Sequence, residues 1–173
     1  MRIKKIIRTS LGKKKTEKIQ RDKEFEKFGI VLKSKINKIF GRSLAIRMVD
    51  TGSDGTPEIE LVNLTTSYYD IERFGVSFVA SPRHADILVV SGPVTYNMVA
   101  ALKKTYDATP NPKFVIALGD DACGRGIFND SYAVVGSVDK VLPVDVKILG
   151  NPPTPKEIIL ALVELMEKIR DQK

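Results

Sequence analysis

The sequence predicts an α/β domain with a mostly parallel sheet and helices on both of its faces. Three observations predict it. Apolar runs of strand length recur, among them Ile87-Leu88-Val89-Val90 and Phe114-Val115-Ile116-Ala117-Leu118, and continuous runs of this kind suit strands buried on both faces. Each is followed by a glycine turn, Ser91-Gly92-Pro93 and Gly119-Asp120-Asp121. Between the runs, apolar residues recur at three- and four-residue spacing, the period of a helix packed by one face. Strands that alternate with helices build a parallel sheet.

The elements follow in order. Residues 21–40 place Phe25, Phe28, Leu32, Ile36 and Ile39 on one face and Lys27, Lys33, Lys35 and Lys38 largely on the others. This predicts an amphipathic helix, and Gly41 stands where a glycine ends one. The spacing suits packing on the chain's own domain and docking on a partner or membrane surface equally. Residues 43–49 alternate Leu44, Ile46 and Met48, a first strand. The loop Thr51-Gly52-Ser53-Asp54-Gly55-Thr56-Pro57 is rich in turn formers. A helix is expected within residues 58–69, a short strand at 76–80, a helix at 94–106 and a short helix at 132–136. Val144, Val146 and Ile148 alternate within 141–149, the last strand. Thr154-Pro155-Lys156-Glu157 then reads as a capping box with proline at the first helical position. Ile158, Leu162, Leu165 and Ile169 form the buried face of the final helix.

Composition limits the function classes. The 173 residues are 43% apolar and 28% charged, which fits one ordinary globular domain with an extension. No run approaches the roughly 18 apolar residues of a membrane-spanning helix, and the N-terminus lacks the apolar stretch of a secretory signal. A cytoplasmic location is expected. The single Cys123 excludes both an internal disulfide and an all-cysteine metal centre held by this chain alone. It is expected to be a packing residue. The net charge of +7 is uneven. Residues 1–42 hold 15 Lys/Arg against 4 Asp/Glu, and residues 43–173 hold 13 against 17. The chain thus divides into a basic arm, 1–42, and a weakly acidic domain, 43–173. The runs Lys4-Lys5 and Lys13-Lys14-Lys15, interleaved with Ile3, Ile6, Ile7 and Leu11, read first as a solvated or partner-ordered tail and alternatively as a segment for anionic lipid or nucleic acid. They lack the aromatic spacing of a base-stacking surface.

Several segments carry a resemblance. They are Thr51-Gly52-Ser53 with Glu58-Ile59-Glu60, Tyr69-Asp70-Ile71-Glu72-Arg73-Phe74-Gly75, and Ser81-Pro82-Arg83-His84-Ala85-Asp86. Ser91-Gly92-Pro93-Val94-Thr95, Val144-Asp145-Val146 and Gly150-Asn151-Pro152-Pro153-Thr154 complete the set. Together they resemble the small subunit of group 4 membrane-bound energy-converting [NiFe] hydrogenases and the 20-kDa cluster-bearing subunit of NADH:quinone oxidoreductase. The resemblance spans roughly residues 43–170 and implies a flavodoxin-like three-layer sandwich. It also implies one [4Fe-4S] cluster held by four cysteines beside a large subunit.

The positions matching those cysteines are Asp54, Pro57, Asp121 and Asn151. None offers the soft thiolate that such a cluster needs, and Pro57 offers no side-chain donor at all. The expectation is therefore a divergent member without a cofactor. Its role would be structural or assembly, in a membrane-bound hydrogenase-like or complex I-like oxidoreductase, on the inner face of the cell membrane. Its partners would be a hydrogenase large-subunit-like protein and the membrane subunits. The resemblance places the interface on Glu60, Asp70, Glu72, Arg73, Arg83 and His84, with Arg83 and His84 facing the cluster pocket. Alternatives stay open. The cluster could be completed by another chain, or the chain could be a freestanding module for nucleic acid or lipid. Asp54, Asp121 and Asn151 could also hold a hard cation such as Mg²⁺ or Ca²⁺. No Ser/His/Asp or Cys/His arrangement supports a catalytic site.

Overall fold

The computed structural model describes residues 22–171. The Lys-rich segment before Asp22, including Ile3, Ile6, Ile7 and Leu11, lies outside the described residues. The first described helix, α1, spans Lys23–Phe40. Asp22 caps it, its Oδ1 accepting from the backbone N–H of Glu24 at 2.8 Å and of Phe25 at 3.4 Å. Gly41 ends it in the left-handed region at φ 66°, where only glycine sits without strain.

Five strands form the main sheet: β1 (Leu44–Asp50), β2 (Val76–Phe78), β3 (Ile87–Ser91), β5 (Phe114–Leu118) and β7 (Val146–Ile148). All pair in parallel, in the order β2-β1-β3-β5-β7. Counting only these five gives 2-1-3-4-5, the flavodoxin-like order, with its switch point between β1 and β3. The helices α2 (Thr56–Thr65), α3 (Tyr96–Ala108) and α4 (Pro155–Asp171) complete the layers.

Side chains alternate across each strand, so each face has its own core. Leu44, Ile46, Ile87, Val89, Ile116, Leu118 and Ile148 meet Phe25, Leu32 and Ile36 of α1, and Ile158, Leu162 and Leu165 of α4. Val49, Leu88, Val90, Val115 and Ala117 meet Leu102 of α3 together with Ala122, Val138 and Leu142. Phe25, Leu32 and Ile36 are each at most 2% exposed. Burial of such side chains stabilises by roughly 1.5–3 kcal/mol each. Of the two placements the spacing allowed, α1 thus takes the first: its stripe is used inside the domain. α1 lies before the division at residue 42 yet packs as part of the domain, and its buried stripe is not free to anchor the chain elsewhere.

Two local expectations are corrected. Residues 132–136 are not helical, because Val134–Gly136 is a strand, β6. It pairs antiparallel with β4 (Val94–Thr95) in a second small sheet. Two adjacent β-branched valines favour that pairing over a helix. For the same reason α3 starts at Tyr96 rather than at Val94. The capping box of α4 forms as expected: Thr154 donates its N–H at 2.7 Å and its hydroxyl at 2.8 Å to Glu157 Oε2, and Glu157 N–H returns to Thr154 Oγ1 at 3.3 Å.

Candidate functional site

In a sheet of this order, ligands sit outside the carboxyl ends of the strands. Four turns meet there, after β1, β3, β5 and β7. The first is built around Asp50 and Thr51. Asp50 Oδ1 accepts from the N–H groups of Gly52 and Ser53, both at 2.8 Å. The buried Thr51 hydroxyl donates to Ser91 O at 2.8 Å and lies 3.1 Å from Gly92 O, which stitches the β1 turn to the β3 turn. In the third turn Asp120 Oδ1 accepts from Gly150 N–H at 2.9 Å, and Asp120 N–H donates to Gly150 O at 3.0 Å. That ties the β5 turn to the β7 turn.

Asp54, Asp121 and Asn151, three of the positions that match cluster cysteines, lie on these turns, and Pro57 lies in the first turn of α2 directly after the β1 turn. Thr56 joins two of them: its hydroxyl donates to Asp54 Oδ1 at 2.7 Å and lies 3.3 Å from Asn151 Oδ1. Pro57 packs against the β5 turn, since a side chain at Gly119 would meet its Cγ at 3.0 Å and Gly150 O at 3.6 Å. Asp121 is 7% exposed and sits against Gly126, where any side chain would strike its carboxyl group. The charge of Asp54 reaches Asp121. The chain thus brings Asp54, Pro57, Asp121 and Asn151 to one place, as the aligned loops predict.

The donor set does not fit an iron–sulfur cluster. Two carboxylates, an amide and a proline stand where four thiolates are needed. Cys123 supplies none, for its half-buried Sγ lies 3.6 Å from Ala117 O and 3.7 Å from Ile148 O. Burial pushes its thiol up to about 11, so it is a packed, protonated thiol at neutral pH. A hard-cation site is also poorly served. Asp54 Oδ1 is taken by Thr56, and among the described residues no group of three or more His, Cys, Asp or Glu is placed to hold a metal.

Two buried carboxylates remain underused. Asp121 Oδ1 has no hydrogen-bond partner. Glu58, part of the Glu58-Ile59-Glu60 segment but not among the expected site residues, accepts at Oε1 from Ser53 Oγ at 2.7 Å and from Ser91 Oγ, while its Oε2 is buried without a partner. Its sequence signals were its place in that segment and at the start of a helix behind a turn.

Burial pushes the Asp121 carboxyl above its ordinary value, and the charges of Asp54 and Asp120 add to that. The folded state therefore holds this proton more tightly than the unfolded chain. Its stabilising effect is full below the ordinary carboxyl value of about 3.9 and is lost as pH rises through the folded value. Asp121→Asn removes that loss. It should raise stability at neutral pH by roughly 1 kcal/mol, with the gain shrinking toward about pH 4. Thermal unfolding across pH checks this, and a less stable variant at neutral pH contradicts it. Asp54 behaves oppositely: the Thr56 hydroxyl and N–H hold its carboxyl below the ordinary range.

The residues assigned to an interface do not form one patch. Glu60 is half-buried and accepts from Asn63 Nδ2 at 3.1 Å. Asp70 precedes, and Arg73 lies within, a short 3-10 turn, Ile71–Phe74, beside α1. Arg73 pairs with Glu26 of α1, lies 3.8 Å from Asp70, and stacks on the Phe74 ring at 4.3 Å, so it is committed within the chain. Glu72 lines an open groove between α2 and α3. Arg83 and His84 precede β3, whereas the four turns follow the strands. They stand at the opposite end of the sheet. The expectation that they face the cluster pocket is corrected: a five-residue strand of roughly 16 Å lies between.

A flavodoxin-like sheet whose β1, β5 and β7 turns converge on four aligned positions defines a small-subunit-type α/β domain. The chain belongs to the family described as NADH ubiquinone oxidoreductase, 20 Kd subunit, which matches residues 55–165. It is 43% identical over 132 residues to the probable membrane-bound hydrogenase subunit mbhJ of Pyrococcus furiosus, covering 76% of this chain and 79% of that protein. It is 44% identical over 115 residues to one of the subunits of the F(420)H(2) dehydrogenase of Methanosarcina mazei, covering 66% and 62%. Among solved structures, a chain of the membrane-bound sulfane sulfur reductase, an archaeal respiratory membrane complex, superposes with a TM-score of 0.69 at 35% identity, over 80% of this chain and 76% of that one. The [NiFeSe] hydrogenase of Desulfovibrio vulgaris Hildenborough shares the fold, with a TM-score of 0.56 at 19% identity over 77% and 62%.

Proposed function

We propose that this chain is a structural and assembly subunit of a membrane-bound hydrogenase-like or complex I-like oxidoreductase, and that it carries no cluster of its own. One observation carries the reading: Asp54, Pro57, Asp121 and Asn151 meet at the site where the family holds its cluster, yet offer no thiolate. The Thr56 hydroxyl links Asp54 to Asn151, and Pro57 packs on the β5 turn. The relatives named as hydrogenase and dehydrogenase subunits support membership of such a complex. The partners would be a large-subunit-like protein at the carboxyl end of the sheet and membrane subunits of the same complex. Glu60, Asp70 and Glu72 would contribute protein contacts, Arg73 would hold the Asp70 turn in place, and Arg83 and His84, at the amino end of the sheet, would face the membrane side.

Among the described residues no helix is long and apolar enough to cross a membrane. The chain would therefore be peripheral, on the inner face of the cell membrane, held by its partners and by the basic segment before Asp22. A tagged full-length chain should co-purify from solubilised membranes with a large-subunit-like protein. Recovery as a soluble chain without partners contradicts the reading.

A further inference from the structure

The amino end of the sheet holds a second cleft, opposite the four turns. Phe40, Phe114 and Ile169 form apolar walls, and Arg42, Arg83 and His84 line it as polar groups, enclosing about 490 Å³. That is the size of an ordinary small-ligand site.

The charges in this cleft do not cancel. Its one carboxylate, Asp86, is 7% exposed and already engaged. Arg42 binds it through both terminal nitrogens, at 2.9 and 2.6 Å, and Ala45 N–H donates to it at 2.9 Å. This two-pronged pairing fixes Arg42 and consumes the anion. Arg83 and His84 are left over. Both are exposed, and among the described residues neither side chain has a hydrogen bond or ion pair. Ser81 Oγ accepts from the Arg83 N–H at 3.4 Å and holds the turn that presents them.

We infer that this cleft takes the headgroup of an anionic phospholipid. The phosphate would lie against Arg83 and His84, and the glycerol and first acyl carbons against Phe40, Phe114 and Ile169. A guanidinium matches the geometry of phosphate oxygens. An apolar wall directly behind it favours an amphiphile over a free ion, whose hydration that wall would disrupt. The inference rests on the reading of the chain as a peripheral membrane subunit. It turns the amino end of the sheet toward the lipid and leaves the carboxyl end for the large-subunit partner.

The test uses the full chain. His84 is its only histidine, so formation of the carbethoxylated imidazole on treatment with diethyl pyrocarbonate, read by its own ultraviolet absorbance, reports on this cleft alone. Saturating vesicles of phosphatidylcholine containing phosphatidylglycerol should slow that reaction severalfold, because a bound headgroup covers the imidazole. Phosphatidylcholine vesicles and inorganic phosphate should not. Arg83→Ala should weaken binding to the phosphatidylglycerol vesicles by about fivefold, what one basic contact contributes at an anionic surface. Lys103→Ala, at an exposed lysine on α3, should leave it unchanged. If the vesicles bind the chain but His84 reacts at its free rate and Arg83→Ala binds normally, lipid is held elsewhere and this inference alone fails. If the full chain does not bind the vesicles, the membrane reading fails with it. Equal protection by inorganic phosphate would make the cleft a free-anion site and overturn the lipid assignment.

Discussion

Replacing Asp54, Pro57, Asp121 and Asn151 together by cysteine should yield a brown protein that takes up about four iron and four sulfide per chain on anaerobic reconstitution. The basis is geometric. Thr56 already bridges Asp54 to Asn151, Pro57 lies on the Gly119–Gly150 contact, and the Asp54 charge acts on Asp121. The four thiolates would come from segments at the same end of the sheet. The replacement also removes the unpartnered Asp121 oxygen, so it relieves one local penalty while it introduces ligands. A variant with the parent's circular dichroism and no bound iron would show that the loops hold these positions too far apart.

Phe25→Ala should cost about 3–5 kcal/mol, a fall in melting temperature of roughly 10 °C for a domain of this size. Phe25 is 2% exposed, and its ring lies 4.9 Å from that of Tyr69 and 6.1 Å from that of Phe74. Loss of the ring leaves a cavity between α1 and the 3-10 turn that carries Arg73. Ile30→Ala, on the same helix but 64% exposed, should stay within about 0.5 kcal/mol. Thermal unfolding of the two variants checks the contrast. A near-neutral Phe25→Ala would mean that α1 is an appendage and not part of the core.

The sheet was readable because its strands are pure apolar runs. Phe114–Leu118 is buried at every position, and such a run has few alternatives to a central strand. The convergence of the loops was readable for a different reason: Thr51-Gly52-Ser53 and Gly150-Asn151-Pro152-Pro153 are long specific words, whatever sits at the ligand positions. The packing of α1 was not readable. An apolar stripe with lysines around it describes an inward helix and a surface anchor alike, and only the partners of Phe25 and Ile36 decide between them. Residues 132–136 misled because a strand of three residues is shorter than any periodicity can report. Arg83 and His84 were placed at the wrong end because proximity in a motif says nothing of strand direction, and β3 runs between them and Ser91. Glu58 stayed hidden because its partners come from separate places in the chain, Ser53 from the turn after β1 and Ser91 from the end of β3.

The central claim is that the family scaffold persists here without its cluster. It is tested most directly by iron and acid-labile sulfide analysis of the unmodified full-length chain after anaerobic reconstitution. The account predicts a colourless protein with far less than one iron per chain. A brown protein with close to four iron and four sulfide per chain, about what one [4Fe-4S] cluster requires, would contradict it.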